Sequence, residues 1–212
     1  MLCFTLVAAV AEEAAPKRVA LVFDDGPVPE NACPLLALLN QEGIQVTFAL
    51  VGKRVDEHPE IVQNVTSAGH EAVNHSQTHA HPRDLTDAAL NHEVGAAQRT
   101  IAARAGIAPR WYWPPFLELD DRVRTAAAHA GITPYVPRHL VVSMDYDRSV
   151  LAAEIVRRST TQVHDGSVIL FHEWRAETRQ QLPAILSELR RQNCRFYTFS
   201  GLHESLTVLC EQ

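Results

Sequence analysis

The sequence lacks both basic clusters and long apolar runs. Its 212 residues carry a formal net charge of -6, and no run of lysine or arginine interrupts this acidic balance. A chain with this charge is a poor match for nucleic acid or for an anionic membrane surface. No stretch reaches the roughly 18 to 20 apolar residues that a membrane-spanning helix needs. We therefore expect neither a nucleic-acid partner nor a membrane span.

Cysteine is scarce and follows no recognisable pattern. There are four cysteines, and none of them forms a CxxC pair or a metal-finger spacing. They are Cys3, Cys33, Cys194 and Cys210. If the protein is exported, Cys194 and Cys210 are candidates for a disulfide, and buried free thiols are the alternative. The sequence leaves both alternatives open.

The N-terminal segment differs in composition from the rest of the chain. Residues 1–11 are uncharged and apolar, and Ala9-Val10-Ala11 has the small-x-small form of a secretory cleavage site. The basic residues that usually precede such an apolar core are missing. We interpret residues 1–16 as a signal-peptide remnant and leader, which predicts a secreted or periplasmic protein. A short buried first helix is the alternative.

The remainder, residues 17–212, contains no linker, low-complexity segment or internal repeat, which predicts one domain. Strand patterns alternate with helix patterns along it. The predicted strands are 19–23, 46–51, 71–74, 111–113, 132–136, 140–144, 168–171 and 196–199. The predicted helices are 31–42, 59–68, 85–105, 120–130, 150–163 and 178–193. This alternation predicts an α/β fold with a parallel sheet, closed into a compact β/α barrel of seven or eight units.

Polar residues and one phenylalanine of interest fall where the predicted strands end. These positions hold Asp24, Asp25, His75, His79, Phe116, Asp145 and His172. In β/α barrels the C-terminal strand ends carry the active site. Adjacent carboxylates repel, so Asp24 and Asp25 need a cation, hydrogen-bond donors or a proton-transfer role. A solvated Asp-Asp-Gly-Pro turn is the alternative.

The two histidines suggest a metal site. His75 and His79 are four residues apart, which on the first turn of a helix places both imidazoles on one face. A carboxylate from Asp25 completes a set of two histidines and one aspartate, with positions left for water and substrate. This set suits zinc, with cobalt, nickel or ferrous iron as plausible substitutes. The alternatives are an exposed histidine-rich loop, or His81 as a ligand.

Taken together, these motifs resemble those of a known family. VFDDGP, GHEAVNHSQTH, WPPF, the aspartate near 145 and VILFH occur in this order. They are similar to the successive motifs of the polysaccharide deacetylases of carbohydrate esterase family 4, over about residues 19–206. The resemblance implies a distorted β/α barrel that uses a divalent metal to remove acetyl groups from N-acetylated glycans or acetylated xylan.

The resemblance also implies roles for individual residues. Asp24 is expected to be the general base and His172 the general acid. Asp25, His75 and His79 are expected to bind the metal. Pro115 and Phe116 of the third motif are expected to contact the substrate, with the backbone N–H of Phe116 holding the oxyanion, and Leu170 is expected to line the acetyl pocket.

Two positions depart from the family pattern. Trp113 stands where the third motif has an arginine that pairs with the base, and Arg138, Arg148 and Arg175 are candidate replacements. The fourth motif has an aspartate but no tryptophan, so Asp145, with Asp147 second, is the candidate for orienting His172. The absent tryptophan would form an aromatic wall of the acetyl pocket. Trp174, or one of Trp111 and Trp113, is the candidate replacement, and packing in the core or at the rim is the alternative for each.

We therefore expect a metal-dependent deacetylase of N-acetylated glycans of the chitooligosaccharide or peptidoglycan type. The alternatives are an O-deacetylase of acetylated xylan, and a glycan-binding homologue impaired by Trp113. Short segments between strands predict an open groove, and we expect a monomer whose partner is the acetylated glycan.

Overall fold

A computed structural model describes residues 15–207. Within this range the chain forms eight strands and eight α-helices that largely alternate. The strands are β1 (Lys17–Gly26), β2 (Thr47–Leu50), β3 (Glu71–Asn74), β4 (Trp111–Tyr112), β5 (Thr133–Pro134), β6 (His139–Val142), β7 (Ser167–His172) and β8 (Cys194–Tyr197). The helices are α1 (Pro29–Glu42), α2 (Gly52–Glu57), α3 (Pro59–Ser67), α4 (Asp87–Ala105), α5 (Asp121–His129), α6 (Ala152–Thr160), α7 (Ala176–Arg191) and α8 (Phe199–Thr207).

All strand pairs are parallel, in the order β5-β4-β3-β2-β1-β7-β6. Among the described strands, β5 and β6 do not pair with each other, so the curled sheet stays open on that side. The eighth strand, β8, pairs with the first residues of β1, whereas β2 pairs with β1 from Val22 onwards. The predicted distorted β/α barrel is therefore confirmed, with one open seam.

The central strand β1 sorts its side chains between two cores. Leu21 and Phe23 belong to the core under the outer helices, and Ala20 and Val22 to a second core inside the curled sheet. This is the period of two that a strand imposes. Because Asp24 continues the even-numbered set, its carboxylate is directed to the inner face at the end of the strand.

Helix α4 begins and ends at capping residues that the sequence contains. Thr86 caps α4 by accepting a hydrogen bond from the backbone N–H of Ala89, and Gly106 closes the helix at φ 76°. Most predicted boundaries are displaced by a few residues. The displacements reach three residues at the end of β1 and at the end of 150–163, where the helix is confined to Ala152–Thr160. Helices α2 and α8 have no counterpart in the prediction.

Several predictions lie outside the described residues. Residues 1–14, which include most of the predicted leader, and Cys210 are not described. The signal peptide, the secreted location and the Cys194–Cys210 pair therefore stay predictions, as does the monomer. No helix within residues 15–207 is long and apolar enough to cross a membrane.

Gly26, the last residue of β1, gives a first testable prediction. A Cβ at this position would lie 2.1 Å from Oε2 of Glu173. Glu173 is buried, and its other oxygen accepts a hydrogen bond from the backbone N–H of Val28 at 2.8 Å, so the carboxylate has little room to move. We expect Gly26→Ala to lower the free energy of unfolding by about 1–3 kcal/mol, as overpacking does.

Chemical denaturation measures this difference. Gly95→Ala is the matched control, because a Cβ there would meet only the flexible end of Arg99 at 3.3 Å. Gly95 lies inside α4, where alanine is favoured over glycine by about 0.5–1 kcal/mol. An unchanged stability for Gly26→Ala would contradict the packing described at the end of β1.

Candidate active site

A cavity of about 500 Å³ opens at the C-terminal strand ends. Its lining consists of Asp24, Asp25, His75, His79, Phe116, Leu117, Val142, Tyr146, Leu170, His172 and Trp174. Larger hollows of about 630 and 700 Å³ lie beside β8 and beside β6, but their linings contain none of the predicted catalytic or metal-binding residues. The chemistry therefore points to the cavity at the strand ends. The open groove that the short connections predict stays a prediction.

Two consecutive carboxylates reach this cavity because the backbone turns between them. Neighbouring residues of a regular strand point to opposite faces. Asp25 has φ 67°, in the left-handed region, and the β1–β2 register shifts between Phe23 and Gly26. This local irregularity lets Asp25 face the same cavity as Asp24. Such backbone strain is characteristic of functional sites.

The predicted metal ligands lie together. The donor atoms of Asp25, His75 and His79 are all within 4.8 Å of one another. Nε2 of His79 is 3.0 Å and Nε2 of His75 is 3.6 Å from Oδ1 of Asp25. This Oδ1 is buried and has no hydrogen-bond partner of good geometry among the described residues. An unsatisfied carboxylate oxygen facing two imidazole nitrogens fits a divalent cation.

The helical turn predicted for the histidine pair is wrong. Residues 75–80 form a loop, in which Ser76 and His79 have φ values of 64° and 63°. The two rings converge because the loop folds back, with their centroids 4.8 Å apart. The backbone N–H of His79 donates to Oγ of Ser76 at 3.0 Å, which stabilises this fold.

The ring of His75 is oriented by the backbone. Its Nδ1 lies 2.5 Å from the carbonyl oxygen of Trp113, so Nδ1 donates and Nε2 is left for a metal. A backbone acceptor behind a metal-binding histidine usually fixes its tautomer. Burial opposes protonation of His75, but Asp24 and Asp25 outweigh it and raise its pKa.

The two aspartates have opposite electrostatic surroundings. Burial raises the pKa of Asp24 to about 6, against the lowering effect of His75, His172 and the Trp113 indole. Burial acts in the same direction on Asp25, but interactions with His75 and His79 outweigh it, so the pKa of Asp25 lies far below its usual range. Asp25 is thus suited to hold a cation and Asp24 to accept a proton.

His172 is held by a buried aspartate. Its Nδ1 lies 2.8 Å from Oδ1 of Asp145, whose Oδ2 accepts from the His172 backbone N–H at 2.9 Å and from Oγ1 of Thr178 at 2.7 Å. Asp145 has no exposed surface. Burial lowers the pKa of His172, but the hydrogen bond and charge of Asp145 outweigh this, so the pKa is raised. Asp147 is only partly buried and accepts hydrogen bonds from the backbone N–H and the hydroxyl of Ser149 instead.

The prediction that Trp113 contacts the substrate is wrong. Its side chain lies behind Asp24 and does not line the cavity. It is only 1% exposed, and its indole N–H donates to Oδ2 of Asp24 at 2.9 Å. Trp111 is buried as well, and its indole donates to Oγ of Ser200. Trp174 does line the cavity, and its indole donates to Oδ2 of Asp25 at 2.9 Å.

The candidate replacements for the motif arginine lie elsewhere. Arg138 interacts with Asp165, and the guanidinium of Arg148 lies 5.5 Å from the centre of the Trp174 ring. Arg175 donates to the carbonyl oxygen of Val150 at 3.1 Å. Each of these three arginines is therefore held in a different place from Asp24. The hydrogen-bond partner of the Asp24 carboxylate is instead the neutral indole of Trp113.

The rim of the cavity is partly apolar. Phe116, 48% exposed, and Leu117 both have left-handed backbones with φ 57°. The ring of Phe116 stacks on His81, with centroids 3.4 Å apart. His81 itself lies beside Glu118, with Nδ1 at 3.2 Å from the carboxylate, and not in the metal cluster. Leu170 lines the cavity. The prediction that Pro115 contacts the substrate is wrong, because Pro115 is buried and does not line the cavity.

The sequence reasoning missed several residues of this site. Tyr146 faces His172 across the cavity, with ring centroids 5.7 Å apart. Val142 and Leu117 also line it, and Thr178 supports Asp145 from α7. Tyr146 follows the predicted strand 140–144, so its position was a usable signal. Thr178 lies on helix α7 and not at a strand end, so its position in the sequence gives no comparable signal.

Comparison with known proteins identifies the family. The polysaccharide deacetylase family model matches residues 11–135, more than half of the chain. The chain belongs to the polysaccharide deacetylase family. Chitin deacetylase 1 of Cryptococcus neoformans is 35% identical over 116 residues, which are 55% of this chain but 24% of that protein. The chain thus spans about a quarter of that relative's length.

Two further relatives of this deacetylase family member match over most of both lengths. A peptidoglycan-N-acetylglucosamine deacetylase of Bacillus cereus is 29% identical over 189 residues, 88% of each chain. The family 4 carbohydrate esterase from Streptomyces lividans, solved in complex with acetate, is 31% identical with a TM-score of 0.78. That match covers 85% of this chain and 92% of the other.

Proposed function

We propose that this member of the polysaccharide deacetylase family removes acetyl groups from an N-acetylated glycan by metal-dependent hydrolysis. One observation carries the proposal. The ends of β1, β3 and β7 bring the Asp25, His75 and His79 cluster, the buried carboxylate of Asp24 and His172 to a single cavity, and Asp145, after β6, holds His172 there. The similarity to chitin and peptidoglycan-N-acetylglucosamine deacetylases supports an N-acetylated substrate.

Asp25, His75 and His79 would hold the metal. When bound there, a divalent ion lowers the pKa of a water molecule towards about 7 and polarises the acetyl carbonyl. Asp24 takes a proton from the attacking water, and its pKa of about 6 leaves it ionised yet basic at neutral pH. The backbone N–H of Phe116, on the cavity rim, is our candidate donor to the oxyanion.

The leaving amine needs a proton before the carbon–nitrogen bond breaks. Asp24 and His172 are register partners on the neighbouring strands β1 and β7, so base and acid flank the same reacting carbonyl. Because Asp145 accepts from Nδ1, the imidazolium of His172 presents its Nε2 proton to the amine. The raised pKa of His172 favours the protonated form that this role needs.

A substrate panel tests the proposal. Acetate release by the zinc-loaded protein is measured with chitooligosaccharides, peptidoglycan and acetylated xylan, and a chelated sample is the control. We expect release from an N-acetylated glycan that chelation abolishes and added zinc restores. A preference for acetylated xylan would favour the O-deacetylase. Binding to glycans without acetate release from any of them would favour the binding protein and contradict the proposal.

Asp145 gives a pH prediction whose sign follows from charge. Asp145→Asn removes the negative charge that raises the pKa of His172, so that pKa falls. His172 acts when protonated, so the alkaline limb of kcat/KM against pH should move to lower pH. Asp147→Asn, at the aspartate two residues on that contacts Ser149 and not His172, is the control and should leave the limb in place. An unmoved limb in Asp145→Asn would show that His172 is not the acid.

A further inference from the structure

We propose that Trp113 is a positioning residue that fixes which oxygen of Asp24 takes the proton. This inference rests on the proposed function. The Trp113 indole N–H donates to Oδ2 of Asp24 at 2.9 Å. Oδ1 of Asp24 is buried and has no hydrogen-bond partner among the described residues. One oxygen is therefore held, and the other is the acceptor left for a proton from water.

Trp113 also contacts the metal-binding side of the site, but through its backbone. Its carbonyl oxygen lies 2.5 Å from Nδ1 of His75, and its N–H donates to the carbonyl oxygen of Asn74 at 2.9 Å. A single residue thus sets the relative placement of the base and one proposed ligand. Trp113 contacts His75 only through its main chain and Asp24 only through its side chain. A change of the Trp113 side chain therefore affects the base and leaves the contact with the proposed ligand in place.

The direction of the indole N–H is fixed by packing inside the curled sheet. Trp113 is 1% exposed, and its ring lies 5.2 Å from that of Phe199 and 6.5 Å from that of Tyr135. Phe199 and Tyr135 stack on each other with centroids 4.0 Å apart. The indole therefore has no room to follow a rotating carboxylate. If Asp24 turned, its hydrogen bond would be lost, so the donor selects one rotamer.

Two variants remove the donor while keeping an aromatic ring. Trp113→Phe takes away the N–H and part of the ring. Replacement of Trp113 by 3-benzothienylalanine exchanges the N–H for sulfur in a side chain of nearly the same shape, which protects the test against a folding defect. We expect kcat for acetate release to fall by about 10²-fold, the cost of misplacing a reacting group by an ångström, with KM unchanged.

Zinc affinity, measured by isothermal titration, should stay at the wild-type value in both variants because the backbone acceptor of His75 remains. Trp111→Phe is the matched control. Trp111 is 6% exposed, belongs to the same inner core, and donates its indole N–H to Ser200 instead of to the site. This variant should show a comparable loss of thermal stability with kcat unchanged.

Each outcome decides the inference. Wild-type kcat in both Trp113 variants would overturn it, as would an equal loss of kcat in Trp111→Phe. A loss of zinc affinity that accounts for the loss of activity would also overturn it, since the effect would then pass through His75. A wild-type protein that binds zinc but releases no acetate would overturn the proposed function as well. The first three outcomes leave the proposed function intact, so the two failures are distinguishable.

Discussion

Replacing His79 with alanine should abolish zinc binding and acetate release together. Nε2 of His79 lies 3.0 Å from Oδ1 of Asp25, within the group of donor atoms that share a span of 4.8 Å. Loss of a residue that only hydrogen-bonds to a metal ligand typically costs about 10–100-fold in metal affinity. Loss of one of the protein's own three donors should cost more. The side chain is 28% exposed, so its removal should spare the fold.

His81 provides the matched control for this prediction. It is close by in the sequence, its side chain is 34% exposed, and its Nδ1 lies 3.2 Å from the carboxylate of Glu118, whereas His79 faces Asp25. His81→Ala should therefore bind zinc with wild-type affinity and retain wild-type kcat. Titration calorimetry and acetate assays on both variants check the prediction. A loss of zinc in His81→Ala with retention in His79→Ala would reverse the assignment of the ligand.

Replacing His172 with alanine should lower the hydrolysis rate more for a substrate with a poor leaving group than for one with a good leaving group. An amine must be protonated to leave, whereas a nitrophenolate leaves without help. General acid catalysis typically contributes about 10²–10⁴-fold. We expect a loss of that size with an N-acetylated oligosaccharide and a far smaller loss with p-nitrophenyl acetate.

The two substrates act as controls for each other in the same sample. A defect in folding or metal loading would lower both rates, whereas loss of the acid lowers the amide rate selectively. Parallel kinetics on the two substrates, with zinc content measured in the assayed protein, separate these cases. Equal losses on the amide and the aryl ester would contradict the role of His172 as general acid.

Much of the fold was predictable because it depends on local patterns. The apolar run of β1, followed by Asp24 and Asp25, identified the central strand and its active end. The period of two explains why Asp24 faces the inner core together with Val22. The placement of His172 at the end of β7 followed from the same rule. The family resemblance added the roles, and the structure brings those residues to one cavity.

Other features depend on tertiary contacts that a single sequence does not contain. Residues with left-handed backbones in the loop from His75 to His79 bring the two imidazole rings together. The four-residue spacing alone therefore wrongly predicted a helical turn. The direction of the Trp113 side chain is set by packing against Phe199, at the start of a helix that was not predicted. The open seam between β5 and β6 likewise reflects pairing between distant strands.

The most direct test of the account compares acetate release by wild-type protein and Asp24→Asn at equal zinc content. Asparagine keeps an oxygen for the Trp113 indole but cannot accept the proton that the buried carboxylate takes. We predict that the wild type releases acetate from an N-acetylated glycan and that Asp24→Asn loses about 10²–10⁴-fold in kcat while still binding zinc. Equal rates in the two proteins would contradict the assignment of Asp24 as the base on which the mechanism depends.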